Sequence, residues 1–383
     1  MKRRVTIITE IISPYRIPLF NALAKHPAVD LHVVFLAETD SRLRQWRVYK
    51  NEIEFSYEVL PSWRSRVGKL NVLLNWGLAR ALRRASPVAI VCGGYNYFAS
   101  WQALWLARSR GIPFLLWSES NLQDLRRAHR VVEFLKDQFL RRCSGFVVPG
   151  RAAREYLHAH GIKDESVYAA PNAVDNDLFA TAGAEARQNA EAMRSSLNLP
   201  DRYFLFVGRL VREKGVFDLV SAYAKLNEKV RRCMGLVFVG DGEVRAQLEE
   251  QARAISPGVI RFAGFAHREQ LAAYYALAEV LVLPTYTDTW GLVVNEAMAC
   301  GLPVIVSRVA GCVADLVDNE WNGFLLAPGD ASSLAVVMTN LSDRPELCAT
   351  MGANSMKRIS QYTPQSWAEG LVCAIENVGV ERD

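Results

Sequence analysis

Leu281–Ser307 reads LVLPTYTDTWGLVVNEAMACGLPVIVS. Two short, β-branched apolar runs, VLVLPT (280–285) and PVIVS (303–307), flank GLVVNEAMA, which has the length and apolar content of a helix. Strands that are apolar throughout suit the interior of a parallel sheet covered by helices on both faces. The strand-helix-strand order is the connection that two parallel neighbours require. The same rhythm extends in both directions. VTIIT, DLHVVF, AIVCGG, FLLWS and GFVVPG precede it, FLFVGR, GLVFVGDG and VIRFAG come nearer, and helix-period stretches lie between them. Residues 70–84 are expected to form one such helix, with Leu70, Leu73, Leu74, Gly77, Leu78, Ala81 and Leu82 on a single face.

A chain of 383 residues exceeds one ordinary core and suits two domains. The alternation pauses between Ala169 and Leu199, where PNAVDNDLF is followed by an alanine-rich linker, TAGAEARQNAEAMRSS, and a new series starts at Tyr203. The expected fold is therefore α/β, with two doubly wound, Rossmann-like domains over residues 1–173 and 174–361. Residues 362–383 form a terminal amphipathic helix (Trp367, Leu371, Ile375) after Thr363-Pro364. Two such domains facing each other place the carboxyl ends of both sheets around one cleft, where open α/β sheets bind ligands.

Half of the residues are hydrophobic and 22% are charged, the profile of a packed globular protein. Seven scattered cysteines without a C-x-x-C pair suggest neither a zinc cage nor a disulfide framework, and a reducing cytosol is expected. Glu10 interrupts the apolar run behind the basic amino terminus, so that segment reads as a first strand rather than a signal peptide. From Ala85 to Ala107 no residue is charged, but Pro87, Gly93-Gly94, Asn96 and Gln102 break the run into a strand, a turn and a helix. Charge is unevenly shared: residues 1–180 hold 26 Lys and Arg against 16 Asp and Glu, and the remainder holds 19 against 24. A basic half can meet an anionic membrane surface or a phosphorylated acceptor. Its arginines (42, 44, 47; 80, 83, 84; 126, 127, 130; 141, 142) follow no recognition-helix or zinc-finger pattern, so nucleic acid is not an expected partner.

Three segments carry candidate chemistry. In FLFVGRLVREKGV (204–216) a buried strand ends at Gly208, and Arg209 and Lys214 can project over its carboxyl end, two cations suited to a diphosphate. In PTYTDTWGLVVNEAMACG, Trp290-Gly291-Leu292 open a helix whose unpaired N–H groups and dipole make an anion site. Glu296, one turn inside, is a natural acceptor for a ribose diol, and Asp288 for sugar hydroxyls. At Gly264-Phe265 a strand-to-helix turn offers backbone groups to a base edge. Asp175-Asn176-Asp177 mimics a metal-binding D-x-D but follows no buried strand end, so no metal is expected. No P-loop, G-x-S-x-G or G-x-G-x-x-G is present.

GRLVREKG, FVGDG (238–242), the turn at Phe262–Phe265 and, above all, D-x7-E followed by AMACGLPVIVS resemble the family-4 (group 1) glycosyltransferases of GT-B architecture. PNAVDNDLF is similar to that family's interdomain segment. The resemblance implies a retaining transferase using a nucleotide-sugar donor as co-substrate, without a metal or other cofactor. It puts Arg209 and Lys214 on the diphosphate, Glu296 on the ribose and Asp288, where the family usually has Glu, on the donor sugar. It also implies that the terminal helix crosses back to the first domain. The family's glycine-rich turn after the first strand and its histidine after the fourth correspond here to SPYRIPLF and WSESN, so Ser118 or Glu119 stands in the catalytic region. Arg16, Tyr95 and Asn96, at strand ends, are candidate acceptor contacts. The expected acceptor is a lipid-linked or phosphorylated glycan precursor at the cytosolic membrane face. The competing readings are a sugar-nucleotide epimerase or phosphorylase on the same fold, and a non-catalytic sugar-nucleotide-binding subunit.

Overall fold

The computed structural model describes residues 2–40, 46–67, 70–123, 130–255 and 258–380. Arg42, Arg44, Arg126 and Arg127 of the basic clusters lie outside the described residues. The chain divides into two compact units, Met1–Val174 with Thr363–Asp383, and Asp175–Tyr362.

The first unit contains strands β1 (Arg3–Thr9), β2 (Val29–Phe35), β3 (Ser56–Val59), β4 (Ser62–Val67), β5 (Leu70–Asn75), β6 (Ala89–Cys92), β7 (Phe114–Trp117), β8 (Gly145–Val148) and β9 (Val167–Ala169). Its helices are α1 (Ile17–Lys25), α2 (Leu78–Ala85), α3 (Phe98–Ser109), α4 (Arg130–Leu140) and α5 (Arg151–Ala159). Seven strands form one parallel sheet in the order β3-β2-β1-β6-β7-β8-β9. Alternate residues of β1 serve opposite faces: Val5 and Ile7 join one apolar cluster with α1, and Ile8 joins another with α2 and α3.

The second unit has strands β10 (Tyr203–Val207), β11 (Gly235–Val239), β12 (Ile260–Gly264), β13 (Val280–Leu283), β14 (Val304–Ser307) and β15 (Gly323–Leu326). They form a parallel sheet in the order β12-β11-β10-β13-β14-β15. Its helices are α6 (Asn176–Gln188), α7 (Ala190–Ser196), α8 (Val216–Lys225), α9 (Glu228–Cys233), α10 (Arg245–Arg253), α11 (Arg268–Ala276), α12 (Leu292–Ala299), α13 (Val313–Leu316), α14 (Ala331–Ser342) and α15 (Pro345–Ile359). Strand order reverses between β10 and β13, and both carry their connections away in opposite senses. That reversal opens a crevice at their carboxyl ends. The last helix, α16 (Pro364–Val380), packs on α1, β8 and β9 of the first unit. Its Trp367, Leu371 and Ile375 are all buried there, and the Trp367 ring lies 5.1 Å from that of Trp117 and 5.8 Å from that of Phe20.

Two expectations need correction. Residues 70–84 are not one helix: Leu70–Asn75 is a strand paired antiparallel with Ser62–Val67, and only Leu78–Ala85 is helical. Leu73 is buried while Leu74 is exposed, the alternation of a strand. The hairpin is tied to the sheet by Arg64, which ion-pairs with Glu10 after β1 (3.0 Å) and with Asp40 after β2. The alanine-rich segment is likewise no irregular linker, because it forms α6 and α7, with α6 packed on α11 and α12. Among the described residues no helix is long and apolar enough to cross a membrane. The uncharged run 85–107 is instead spent on β6 and most of α3.

Candidate active site

Arg209 and Lys214 follow β10, and Asp288 follows β13, so the three arise on either side of the strand-order reversal in the second unit. Close packing of glycines shapes the loops that carry them. A Cβ at Gly240 would overlap the carbonyl oxygen of Gly208, and one at Gly215 would overlap that of Pro284. Gly215 also holds φ +67°, which side-chain-bearing residues rarely adopt. The tight turn Arg212–Lys214 is thereby pressed onto the segment after β13. There the Glu213 carbonyl accepts from the Tyr286 N–H (2.8 Å) and the Thr285 hydroxyl (3.0 Å).

This stitching sets Lys214 Nζ 2.5 Å from Asp288 Oδ2. The other carboxylate oxygen accepts from the Trp290 N–H at 3.3 Å. The Trp290 amide is therefore engaged and is not one of the open donors that the sequence suggested. Its ring is buried too, with Nε1 donating to Asn295 Oδ1 (2.9 Å), so Trp290 anchors the loop. The N–H groups of Gly291, Leu292 and Val293, at the start of α12, meet no acceptor among the described residues. Arg209 is exposed and has no ion-pair partner among the described residues. The result is a cation, a Lys-Asp pair and three open amides at the ends of two neighbouring strands, an arrangement suited to a polyanion bearing hydroxyls.

Glu296 lies one turn into α12, where the Tyr275 hydroxyl donates to Oε2 at 2.6 Å. Burial pushes this carboxyl up to about 7, and the Tyr275 hydrogen bond only partly opposes the shift. At Gly264-Phe265, the Gly264 carbonyl is already taken by the Gly240 N–H (2.7 Å), whereas the Phe265 ring is exposed, edge-on to His267. Asp175 caps α6, accepting from the Leu178 N–H (3.0 Å), and Asn176 Nδ2 donates to the carbonyls of Ile359 and Tyr362. Among the described residues no group of three or more His, Cys, Asp or Glu is placed to hold a metal ion.

In the first unit, Arg16 and Glu119 come together from the segments after β1 and β7. Arg16 donates to Glu119 Oε1 (3.2 Å) and lies 3.9 Å over the Trp117 ring. Asn172 donates to the same oxygen at 3.1 Å. Sequence reasoning missed Asn172, whose signal was an Asn in the short segment PNAV directly after β9. Ser118 is buried, and its N–H bonds to the Val147 carbonyl as an extension of β7. Of Ser118 and Glu119, only Glu119 presents its side chain to solvent. The Tyr95 hydroxyl is engaged with that of Tyr156 (3.1 Å) and with Ser120, while Asn96 is exposed.

The family model for glycosyl transferases group 1 matches residues 188–358, and that for glycosyltransferase family 4 matches residues 19–178. The D-inositol 3-phosphate glycosyltransferase 2 of Catenulispora acidiphila is 29% identical over 291 residues, 70% of this chain and 66% of that protein. The alpha-D-kanosaminyltransferase of Streptomyces kanamyceticus is 34% identical over 183 residues, 47% of this chain and 46% of that protein. The chain thus spans just under two thirds of the first relative and less than half of the second. Among solved structures, Anabaena HepE in complex with UDP and glucose superposes with a TM-score of 0.74 at 18% identity, over 98% of this chain and 99% of that one. Sucrose-phosphate synthase from Thermosynechococcus elongatus gives a TM-score of 0.74 at 20% identity, over the same shares of the two chains. These likenesses establish the fold, two α/β domains with parallel sheets as in GT-B glycosyltransferases. With one family model falling on each unit in tandem, the chain belongs to the group 1 glycosyltransferases, with a family 4 domain at its amino-terminal side.

Proposed function

We propose that this chain transfers a glycosyl group from a nucleoside-diphosphate sugar to an acceptor hydroxyl, with retention at the anomeric carbon and without a metal ion. The observation that supports this reading best is the set at the ends of β10 and β13: Arg209 and the amides of Gly291 to Val293, which meet no partner among the described residues, and the Lys214-Asp288 pair. In the transfer, the bond from the anomeric carbon to the β-phosphate oxygen breaks and one to the acceptor oxygen forms. The acceptor proton passes to the departing phosphate. Negative charge grows on the leaving diphosphate, and fixed cations and amides stabilise it where it develops. Arg209, Lys214 and the α12 amides take that role, Glu296 accepts from the ribose diol, and Asp288 accepts from the sugar.

Relatives and neighbours support a nucleoside-diphosphate sugar as the donor. HepE has been solved with UDP and with UDP-glucose, and the inositol-phosphate and kanosaminyl enzymes are named glycosyltransferases. For the acceptor, the surplus of Lys and Arg in residues 1–180 favours a phosphorylated or lipid-linked glycan precursor at an anionic membrane face. Arg16, Asn96 and Glu119 are the residues offered to it, with Oε2 of Glu119 left over from the bonds to Arg16 and Asn172.

A thermal-shift screen of nucleoside diphosphates and their sugars tests the donor reading, because a ligand that binds only the folded state must raise its stability. At a concentration of about 100 times its dissociation constant, the matching nucleotide adds about 2.7 kcal/mol and a rise of several degrees. A flat screen at millimolar concentrations would overturn the assignment. The non-catalytic reading would be favoured by nucleotide binding without nucleotide release across a broad set of acceptors.

A further inference from the structure

Helix α4 is inside out over its first half. Val131, Val132, Phe134 and Leu135 are 47–61% exposed, while Lys136 is buried against the Tyr156 ring and paired with Glu133. Only Phe139 and Leu140, at its far end, enter the core. The neighbouring α3 continues the apolar surface with Phe98 (66% exposed) and Trp105 (68%), seven residues apart and so on one helix face. The two helices lie side by side, since Trp101 of α3 meets Phe139 of α4 edge-on at 5.0 Å and Arg108 donates to the Arg142 carbonyl at 3.3 Å. Six large apolar side chains on adjoining helices make a surface beyond the scattered singles that water tolerates without consequence.

We infer that this α3-α4 face docks the protein on an anionic lipid bilayer. Charge decides between a bilayer and a second copy of the chain. Exposed Arg108, Arg110 and Arg141 stand where the two helices end. On α4, Glu133 is paired with Lys136, and Asp137 lies within hydrogen-bond distance of His160 (3.1 Å). Two copies meeting through this face would oppose arginine to arginine, whereas anionic headgroups complement them. Phe134, Leu135 and the valines enter the acyl boundary, and Trp105 sits at the headgroup level that indole favours. The inference deepens the lipid-borne acceptor of the proposed function and rests on that reading for its purpose, not for its geometry.

The test is cosedimentation of the full chain with phosphatidylcholine vesicles containing or lacking phosphatidylglycerol, with binding of UDP and the other nucleoside diphosphates measured on the same preparations. The chain is expected to bind the anionic vesicles, less so at high salt. Val131→Ser/Phe134→Ser on α4, and separately Trp105→Ser on α3, should each weaken partition by about ten-fold or more, since each removes side chains that bury in the bilayer. Arg110→Ser/Arg141→Ser should lower binding to the anionic vesicles and leave the weak binding to neutral ones. All of these residues are exposed, so the thermal midpoint should hold, and agreement between the α3 and α4 variants guards against loss of one helix. Equal partition of wild type and variants, no binding by wild type, or a dimer that the same substitutions dissociate would each overturn the docking surface. If vesicle binding fails while a nucleotide still binds, the donor reading stands alone. If vesicles bind but no nucleotide does, the surface stands and the proposed transfer falls.

Discussion

Lys214→Ala should lower turnover by about 10²- to 10³-fold, the cost of removing one preorganised donor from a site where oxyanion charge develops. The ion pair with Asp288 gives this experiment its edge. If the Lys214-Asp288 pair were purely structural, removing Lys214 would cost stability and leave transfer nearly intact. Both side chains are less than a fifth exposed, so some loss of stability is expected from stranding the carboxylate, of about 1 kcal/mol. The two effects separate in the double variant Lys214→Ala/Asp288→Asn, where the stranded charge is gone. Stability should recover toward wild type and turnover should not. Steady-state kinetics and denaturant midpoints on the three proteins read both quantities, and a double variant that regained transfer would make the pair structural.

Nucleotide affinity should strengthen with pH between about 5.5 and 8, and Glu296→Gln should abolish most of that dependence. The folded protein holds the Glu296 proton up to about 7, mainly because burial penalises the carboxylate. The unfolded chain releases it near 4.3. A carboxyl raised in this way contributes stability that is full below about 4.3 and lost as pH climbs toward 7, at up to about 1.4 kcal/mol per unit. Above 7 both states are ionised and the loss saturates. A ribose diol donates to the ionised form, so binding draws the equilibrium toward carboxylate and releases a proton in the same window. Calorimetry in two buffers of different ionisation enthalpy counts that proton. Glu296→Gln should bind about ten-fold or more weakly at pH 8 and release none. Unchanged affinity in the variant, or a wild-type profile that is flat, contradicts a ribose role for Glu296.

The legible parts of the chain were those in which a local pattern and the global fold agree. Central strands such as FLFVG and VLVLP are apolar throughout and bounded by glycine or proline, which leaves a buried parallel strand as the consistent reading. The site after β10 and β13 was legible for a related reason. Residues that follow buried strand ends in a doubly wound sheet must gather at the strand-order reversal, so Arg209, Lys214 and Asp288 were locatable without coordinates. Three of the four edge strands of the two parallel sheets were not, β12 being the exception. Ser56–Val59, Val167–Ala169 and Gly323–Leu326 are three or four residues long and take their identity from the neighbour they pair with. Leu70–Asn75 was misread because Leu70, Leu73 and Leu74 match helical spacing, while the pairing with Ser62–Val67 that makes them a strand is a tertiary fact.

The same limit applied within the site. Sequence spacing could nominate Trp290, Ser118 and Tyr95, but whether a polar atom is free depends on partners distant along the chain. The Trp290 amide is spent on Asp288, Ser118 is packed inside, and the Tyr95 hydroxyl meets Tyr156. Conversely, Asn172 reaches Glu119 across 53 positions, a contact that no local motif announces.

The central claim is that the ends of β10 and β13 bind a nucleoside diphosphate through fixed cations, and Arg209 is a cation with no ion-pair partner among the described residues. Titration calorimetry of the matching nucleoside diphosphate into wild type and Arg209→Ala, at one salt concentration, measures that directly. One-to-one binding in wild type, weakened by about ten-fold or more in a variant with an unchanged thermal midpoint, is the predicted result. Equal affinity in the two proteins would contradict it.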